Sequence, residues 1–232
     1  MFGGIRHDGR RRSLFDRLLS IITLFSHTLS HTLQQGFLNG LFLSGSLLNG
    51  SKQAVAAVTG AYTTSAVSPS ARQTQFTVLA SYLGGSLING ALNPNGYDSS
   101  VLPVSLLASA ALVATGYQML TGGKASNLAI WSCLALANGC QNSWTSSLLA
   151  GNVLRSAHFS GITSDMGTFL GQILRGNQTN VWKLRIFAAL AACFFAGGLL
   201  SVPAAREMQA QALWVSVAGY VALCAYLMPK KK

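Results

Sequence analysis

The chain has 232 residues, of which 50% are hydrophobic and only 9% are charged. Soluble domains carry roughly 25% charged residues, and five acids with sixteen bases cannot build a polar shell of that kind. The apolar content excludes a disordered chain, and four cysteines without a CxxC pair exclude a disulfide-stapled module. What remains is an all-α, multi-pass membrane protein. The net charge of +11 does not make it a nucleic-acid binder. The bases gather at the two ends and in short polar breaks, which is where bases flank membrane spans, so no nucleic-acid partner is expected.

A span needs about 20 mostly apolar residues. In chain order, residues 1–28 read as a basic N-terminus followed by an interfacial amphipathic helix over 14–25, with Asp16 and Arg17 on its wet face. Residues 29–48 read as the first span, 76–92 as the second and 102–120 as the third. Three more follow at 128–149, 187–202 with its flanks, and 210–228, before a basic tail at 230–232. That makes about six transmembrane helices.

The bases then set the orientation. With both termini on the cytoplasm-like side, that side holds Arg6, Arg10, Arg11, Arg12, Arg17, Arg155, Arg175, Lys183, Arg185 and Lys230 to Lys232. The other side holds only Lys52, Arg72, Lys124 and Arg206. This obeys the positive-inside rule, and the reverse orientation breaks it.

The chain carries a motif pattern twice. Gly36-Phe37-Leu38-Asn39-Gly40 is followed about twenty residues later by Val58-Thr59-Gly60-Ala61-Tyr62-Thr63-Thr64. Asn138-Gly139-Cys140-Gln141-Asn142 is followed at a similar distance by Phe159-Ser160-Gly161-Ile162-Thr163-Ser164-Asp165. Two apolar spans follow in each case. Residues 29–122 and 123–229 thus read as two three-helix repeats. Three is odd, so the repeats insert with opposite orientation, as in many secondary transporters. The Gly/Thr-rich segments are expected to be broken helix, tolerated at membrane depth only where protein or a wet cavity surrounds them.

The GxxxG pairs Gly36/Gly40 and Gly167/Gly171 suit close helix packing, as does the pair Ser81 and Gly85. Asp165 is the only acid expected near membrane depth, where a carboxylate is costly and a functional candidate. Its bland reading is an N-cap for a helix over 164–174. A substrate path would run past Asn39, Thr59, Gln141, Asn142, Thr163 and Asp165. His27 and His31 share a helical face and have the spacing of two metal or pigment ligands. An interfacial pair at the headgroups is the commoner outcome for such histidines.

These motifs resemble the YoaK-like family of bacterial integral membrane proteins, which has no assigned activity. The family's motifs correspond to Gly36-Phe37-Leu38-Asn39, Thr59-Gly60-Ala61, Gly139-Cys140-Gln141-Asn142 and Ser160-Gly161-Ile162-Thr163-Ser164-Asp165-Met166-Gly167, in order, from about residue 30 onward. Two departures stand out. The family's first-motif Asp is Asn39 here, and its Asn after Thr-Gly is Ala61. No nucleophile elbow, P-loop or dinucleotide fingerprint is present, so no enzyme activity and no cofactor are expected. The expected function is transporter-like, for a small solute or ion, with the lipid bilayer as partner. The alternative is an accessory or scaffold subunit of a larger membrane complex, with helix faces that bind lipid, chlorophyll or other membrane subunits.

Overall fold

The computed structural model describes residues 14–43, 58–92, 109, 115–116, 119, 128–147 and 158–227. Among them there are helices and no strand. They are α1 (Leu14–Leu43), α2 (Thr59–Val67), α3 (Arg72–Leu92), α4 (Leu128–Ser147), α5 (Phe159–Leu174), α6 (Val181–Met208) and α7 (Ala212–Leu227). A short 3₁₀ turn, Gln209–Gln211, joins the last two. The third expected span, the basic ends and the loops carrying Lys52 and Lys124 lie almost wholly outside the described residues.

The interfacial helix and the first span are not separate, because α1 runs unbroken from Leu14 to Leu43. No Gly or Pro occurs between Leu14 and Gly36 to stop it. The Gly/Thr-rich segments are also regular helix. α2 and α5 are short helices whose C-terminal turns are tied down. Arg72 Nε donates to the Ser65 carbonyl oxygen at 3.0 Å at the end of α2. At the end of α5, Gly176 takes φ +89°, a backbone state that favours glycine. Asn180 Nδ2 then donates to Gln172 Oε1 at 2.8 Å across the turn into α6.

Two helix pairings dominate the described residues, one of them between elements far apart in the chain. α1 packs on α6, and α3 packs on α4. Both crossings are made by glycine. A Cβ at Gly36 would collide with the Phe194 carbonyl oxygen, and one at Gly197 with the Leu33 carbonyl oxygen. In the other pair, a Cβ at Gly139 would collide with the Tyr82 carbonyl oxygen, and one at Gly85 with the Leu136 carbonyl oxygen. Only glycine lets helix backbones come this close.

The second contacts also correspond. Gly40 meets Ser201 in the first crossing, and Asn89 Nδ2 donates to Ser143 Oγ at 3.1 Å in the second. The α1 residues 36 and 40 and the α4 residues 139 and 143 are offset by 103. The α3 residues 85 and 89 and the α6 residues 197 and 201 are offset by 112. One crossing geometry occurs twice.

Directions follow from the same contacts. Residues 36 and 40 of α1 meet 194–197 and 198–201 of α6 in ascending order, so that pair is parallel. Residues 82 to 89 of α3 ascend with 136 to 143 of α4, so that pair is parallel too. α1 and α4 run antiparallel: His31 lies against Gln141 and Trp144, and Phe42 against Trp131.

On α3 and α6 small and polar residues face inward beside a few apolar ones, while several large apolar residues face outward. α3 buries Gln75, Gly85 and Asn89 while Leu83 and Leu87 are 70% and 71% exposed. α6 exposes Phe195, Leu199 and Leu200 and buries Gly197 and Ser201. Pro203 sits inside α6. It costs one intrahelical hydrogen bond, a loss tolerated in helices whose neighbours re-satisfy the backbone. Among the described residues one helical stretch, Val181–Ala222, with mean hydropathy 2.0, is long and apolar enough to cross a membrane.

Candidate functional site

α1 carries a polar stripe along one helical face. Thr28, His31, Thr32, Gln35 and Asn39 follow the i, i+3/i+4, i+7 spacing of a single face, and all five are buried. From α4, Asn138 and Gln141 are buried as well. α7 contributes Tyr220, also buried. These helices meet in a seam at the centre of the main core, next to Leu38, Leu41, Ile130 and Leu134.

His31, 1% exposed, is the hub of the seam. Gln141 Nε2 lies 2.8 Å from His31 Nδ1. An amide nitrogen can only donate, so this contact is a hydrogen bond when Nδ1 carries no proton. The ring stacks on Tyr220 at 5.3 Å and meets Trp144 edge-on at 5.0 Å. Such aromatic pairs hold an orientation as well as burying area. Gln35 Nε2 donates to the Tyr220 hydroxyl at 3.4 Å, which ties α1 to α7. Asn138 Nδ2 donates back to the Leu134 carbonyl at 2.8 Å within its own helix.

Three seam atoms are buried without a hydrogen-bond partner among the described residues: Gln35 Oε1, Asn138 Oδ1 and Trp144 Nε1. Gln35 and Asn138 are themselves 103 positions apart, the offset that relates Gly36 to Gly139. The antiparallel contacts of α1 with α4 set the two amides at the same level. A buried polar group left unpaired costs about 1–3 kcal/mol, so three in one seam are a marked departure from ordinary packing. The free groups comprise two acceptors and one donor, all uncharged.

The sequence-derived site residues separate into two groups. Asn39 and Gln141 are buried in α1 and α4, and Asn142 is half-buried on the same α4. Thr59, Thr163 and Asp165 are exposed on α2 and α5. Thr163 Oγ1 is spent on the Phe159 carbonyl at 2.8 Å. Asp165 is not an N-cap. α5 begins at Phe159, which puts Asp165 in its second turn, and no side chain caps the helix. Among the described residues α5 packs on α6 through Ile162 and Phe169, and no contact shown joins Asp165 to the seam.

Gly36 and Gly40 are close-packing glycines, whereas Gly167 and Gly171 are exposed with nothing within 4 Å of an added Cβ. His31 is inside the bundle rather than at a headgroup surface. His27 lies outside the described side chains. Among the described residues no three His, Cys, Asp or Glu side chains gather as a metal site.

Sequence reasoning passed over His31 as a core residue, and with it Gln35, Asn138, Trp144 and Tyr220. The available signal was the polar stripe itself. Five polar residues on one face of an apolar helix are costly in lipid unless buried together.

No curated protein and no solved structure matches the chain. The sequence model described as "Protein of unknown function (DUF1275)" matches residues 30–226. The chain therefore belongs to the DUF1275 family, which contains the YoaK-like membrane proteins.

Proposed function

We propose that this is a six-span membrane protein built as two inverted three-helix repeats, transporter-like and not an enzyme, whose path for a small solute or ion runs through the seam between α1 and α4. Both termini lie on the cytoplasm-like side and the bilayer is the immediate partner.

Helix direction supports the repeat. In a chain that crosses six times, spans one and five run alike, spans two and four run alike, and spans one and four oppose. The parallel pairs α1/α6 and α3/α4 and the antiparallel pair α1/α4 have that pattern. The glycine crossings recur under exchange of the halves, as a pseudo-twofold axis in the bilayer plane requires. The outward Leu and Phe of α3 and α6 suit a lipid environment.

The single observation that carries transport is the set of unmade polar atoms, Gln35 Oε1, Asn138 Oδ1 and Trp144 Nε1, buried where the halves meet. Inverted-repeat transporters hold their substrate at that position. The uncharged lining favours a small solute with both donor and acceptor groups. Asp165, placed on the outer face of α5, falls outside the path.

The test is flux through reconstituted protein. Gln35→Leu and Gln141→Leu are expected to lower solute flux at least tenfold, while Asp165→Asn leaves it unchanged. Wild-type flux in both seam variants would remove the seam from the mechanism. A loss confined to Asp165→Asn would return the path to α5.

The accessory-subunit reading draws on a different observation. α5 presents Ser160, Ser164, Gly167, Thr168 and Gly171 outward, small residues of the kind that pack against a neighbouring helix. Native purification in mild detergent separates the two readings. Stoichiometric co-migration with a large assembly favours the subunit, and a monomer or homodimer favours transport.

A further inference from the structure

The turn from α5 into α6 carries three bases, Arg175, Lys183 and Arg185, with Trp182 among them. No acid occurs between Asp165 and Glu207. Among the described residues no side-chain hydrogen bond or ion pair holds any of the three. Arg175 and Arg185 are exposed. Lys183 Nζ lies 5.7 Å from the Phe169 ring centroid and 5.6 Å from that of Trp182. These cation–π contacts hold the ammonium at the level of the two rings and give it no oxygen acceptor.

The fold does not use these bases. The turn from α2 into α3 spends its own: Arg72 Nε donates to the Ser65 carbonyl oxygen at 3.0 Å, and Nη2 to that of Ala66 at 3.4 Å. The α5–α6 turn is closed without one, by Asn180 on Gln172 and by the Gly176 N–H on the Ile173 carbonyl oxygen at 2.9 Å. Nor does α6 gain, since Lys183 stands in its first turn, where the helix dipole disfavours a cation. Beside the bases the surface is apolar. Leu170 and Leu174, on one face of α5, and Trp182 are all exposed. Lys183 and Arg185 also stand at the start of Val181–Ala222, the stretch long and apolar enough to cross a membrane. When that stretch crosses, they lie at headgroup level with a tryptophan at the interface.

We propose that the α5–α6 turn is a docking surface for an anionic phospholipid, whose phosphate meets the three bases and whose acyl chains cover Leu170, Leu174 and Trp182. A guanidinium takes phosphate oxygens in pairs, and the lysine adds a point charge. A zwitterionic lipid carries its own cation and lacks the net charge that draws bases to a membrane surface. A free phosphate would meet the bases but leave the leucines and the tryptophan uncovered. The inference rests on Val181–Ala222 lying in a bilayer and needs no solute path, so it and the transport reading fail separately.

The experiment is native mass spectrometry of the full chain in detergent, incubated with equimolar phosphatidylglycerol and phosphatidylcholine of matched acyl chains. The lipid retained is expected to be mainly phosphatidylglycerol. Lys183→Gln and Arg185→Gln should each lower that preference roughly fivefold, the worth of one base near an anionic surface, and Lys183→Arg should keep it. Arg206→Gln, which removes the same charge in the last turn of α6, should leave it unchanged. Equal retention of the two lipids by the wild type would overturn the proposal. So would a loss in Arg206→Gln as large as in Lys183→Gln, because net charge and not this turn would then attract the lipid. Displacement of the lipid by inorganic phosphate at the same concentration would assign the bases to a free anion and overturn it too. If Lys183→Gln does not fold, the exposed Arg185 decides alone: unchanged preference in Arg185→Gln overturns the site.

Discussion

The α1–α6 and α3–α4 crossings share one backbone geometry and differ in what surrounds it. Each is made by two glycines whose added Cβ would strike a carbonyl of the partner helix. One turn on, α1–α6 places Gly40 against Ser201, a contact of small groups. α3–α4 places Asn89 against Ser143, joined by a hydrogen bond, and adds a second from Ser86 Oγ to the Gly139 carbonyl at 3.0 Å. Thus the glycine pair fixes the approach, and side-chain polarity at the flanks is free to vary. In lipid, dispersion and interhelical hydrogen bonds are alternative ways to hold helices already in contact.

The most damaging way to break this comparison is to widen the glycine contacts. Gly36→Leu or Gly139→Leu is expected to prevent folding, seen as loss of monodisperse protein on extraction. The milder Gly36→Ala, Gly85→Ala, Gly139→Ala and Gly197→Ala should each cost about 1–3 kcal/mol or more, because the obstacle is backbone and cannot rotate away. Unfolding in detergent followed by circular dichroism measures this, and the four costs should be alike if the crossings are equivalent.

A double-mutant cycle on Asn89→Leu and Ser143→Ala sharpens the difference between the pairs. It should return a coupling near 0.6 kcal/mol, with about 1.7 kcal/mol as an upper bound, as for other interhelical bonds in membranes. The corresponding cycle on Gly40→Ala and Ser201→Ala should show steric rather than hydrogen-bond coupling: Ser201→Ala alone should tolerate Gly40→Ala better than wild type does. The smallest effects are expected at glycines with open space. Gly84→Ala and Gly167→Ala, where nothing lies within 4 Å of an added Cβ, should change stability by no more than about 0.5 kcal/mol. A destabilisation there as large as at Gly139 would mean that an unseen partner covers those faces.

The seam and α5 show how far sequence could take the site. Asp165 drew attention because an acid in an apolar chain is costly, but that cost applies only if the residue is buried. Burial depends on which face of α5 meets α6. Ile162 and Phe169 take that face, which leaves Asp165, Ser164 and Thr168 outward. On sequence alone His31 stands near the start of the span expected over 29–48, at headgroup level with His27. In a continuous α1 it shares a face with Gln35 and Asn39, and the Trp144 and Tyr220 rings close over it.

The amino-acid sequence by itself determined the class of molecule. Charges are few and half of the residues are hydrophobic, a composition that suits helices with apolar outer faces. It also determined the recurrence of Gly36 as Gly139, readable because close backbone approach admits only one residue type. Tertiary structure decided the rest: that Gly36 meets α6 and Gly139 meets α3, that Gly197 and Gly85 are their counterparts, and that amides and a histidine fill the seam. Periodicity tells which face of a helix is buried. It does not tell which helix covers that face, and in lipid, where most outer faces are equally apolar, shape and hydrogen bonding choose the partner.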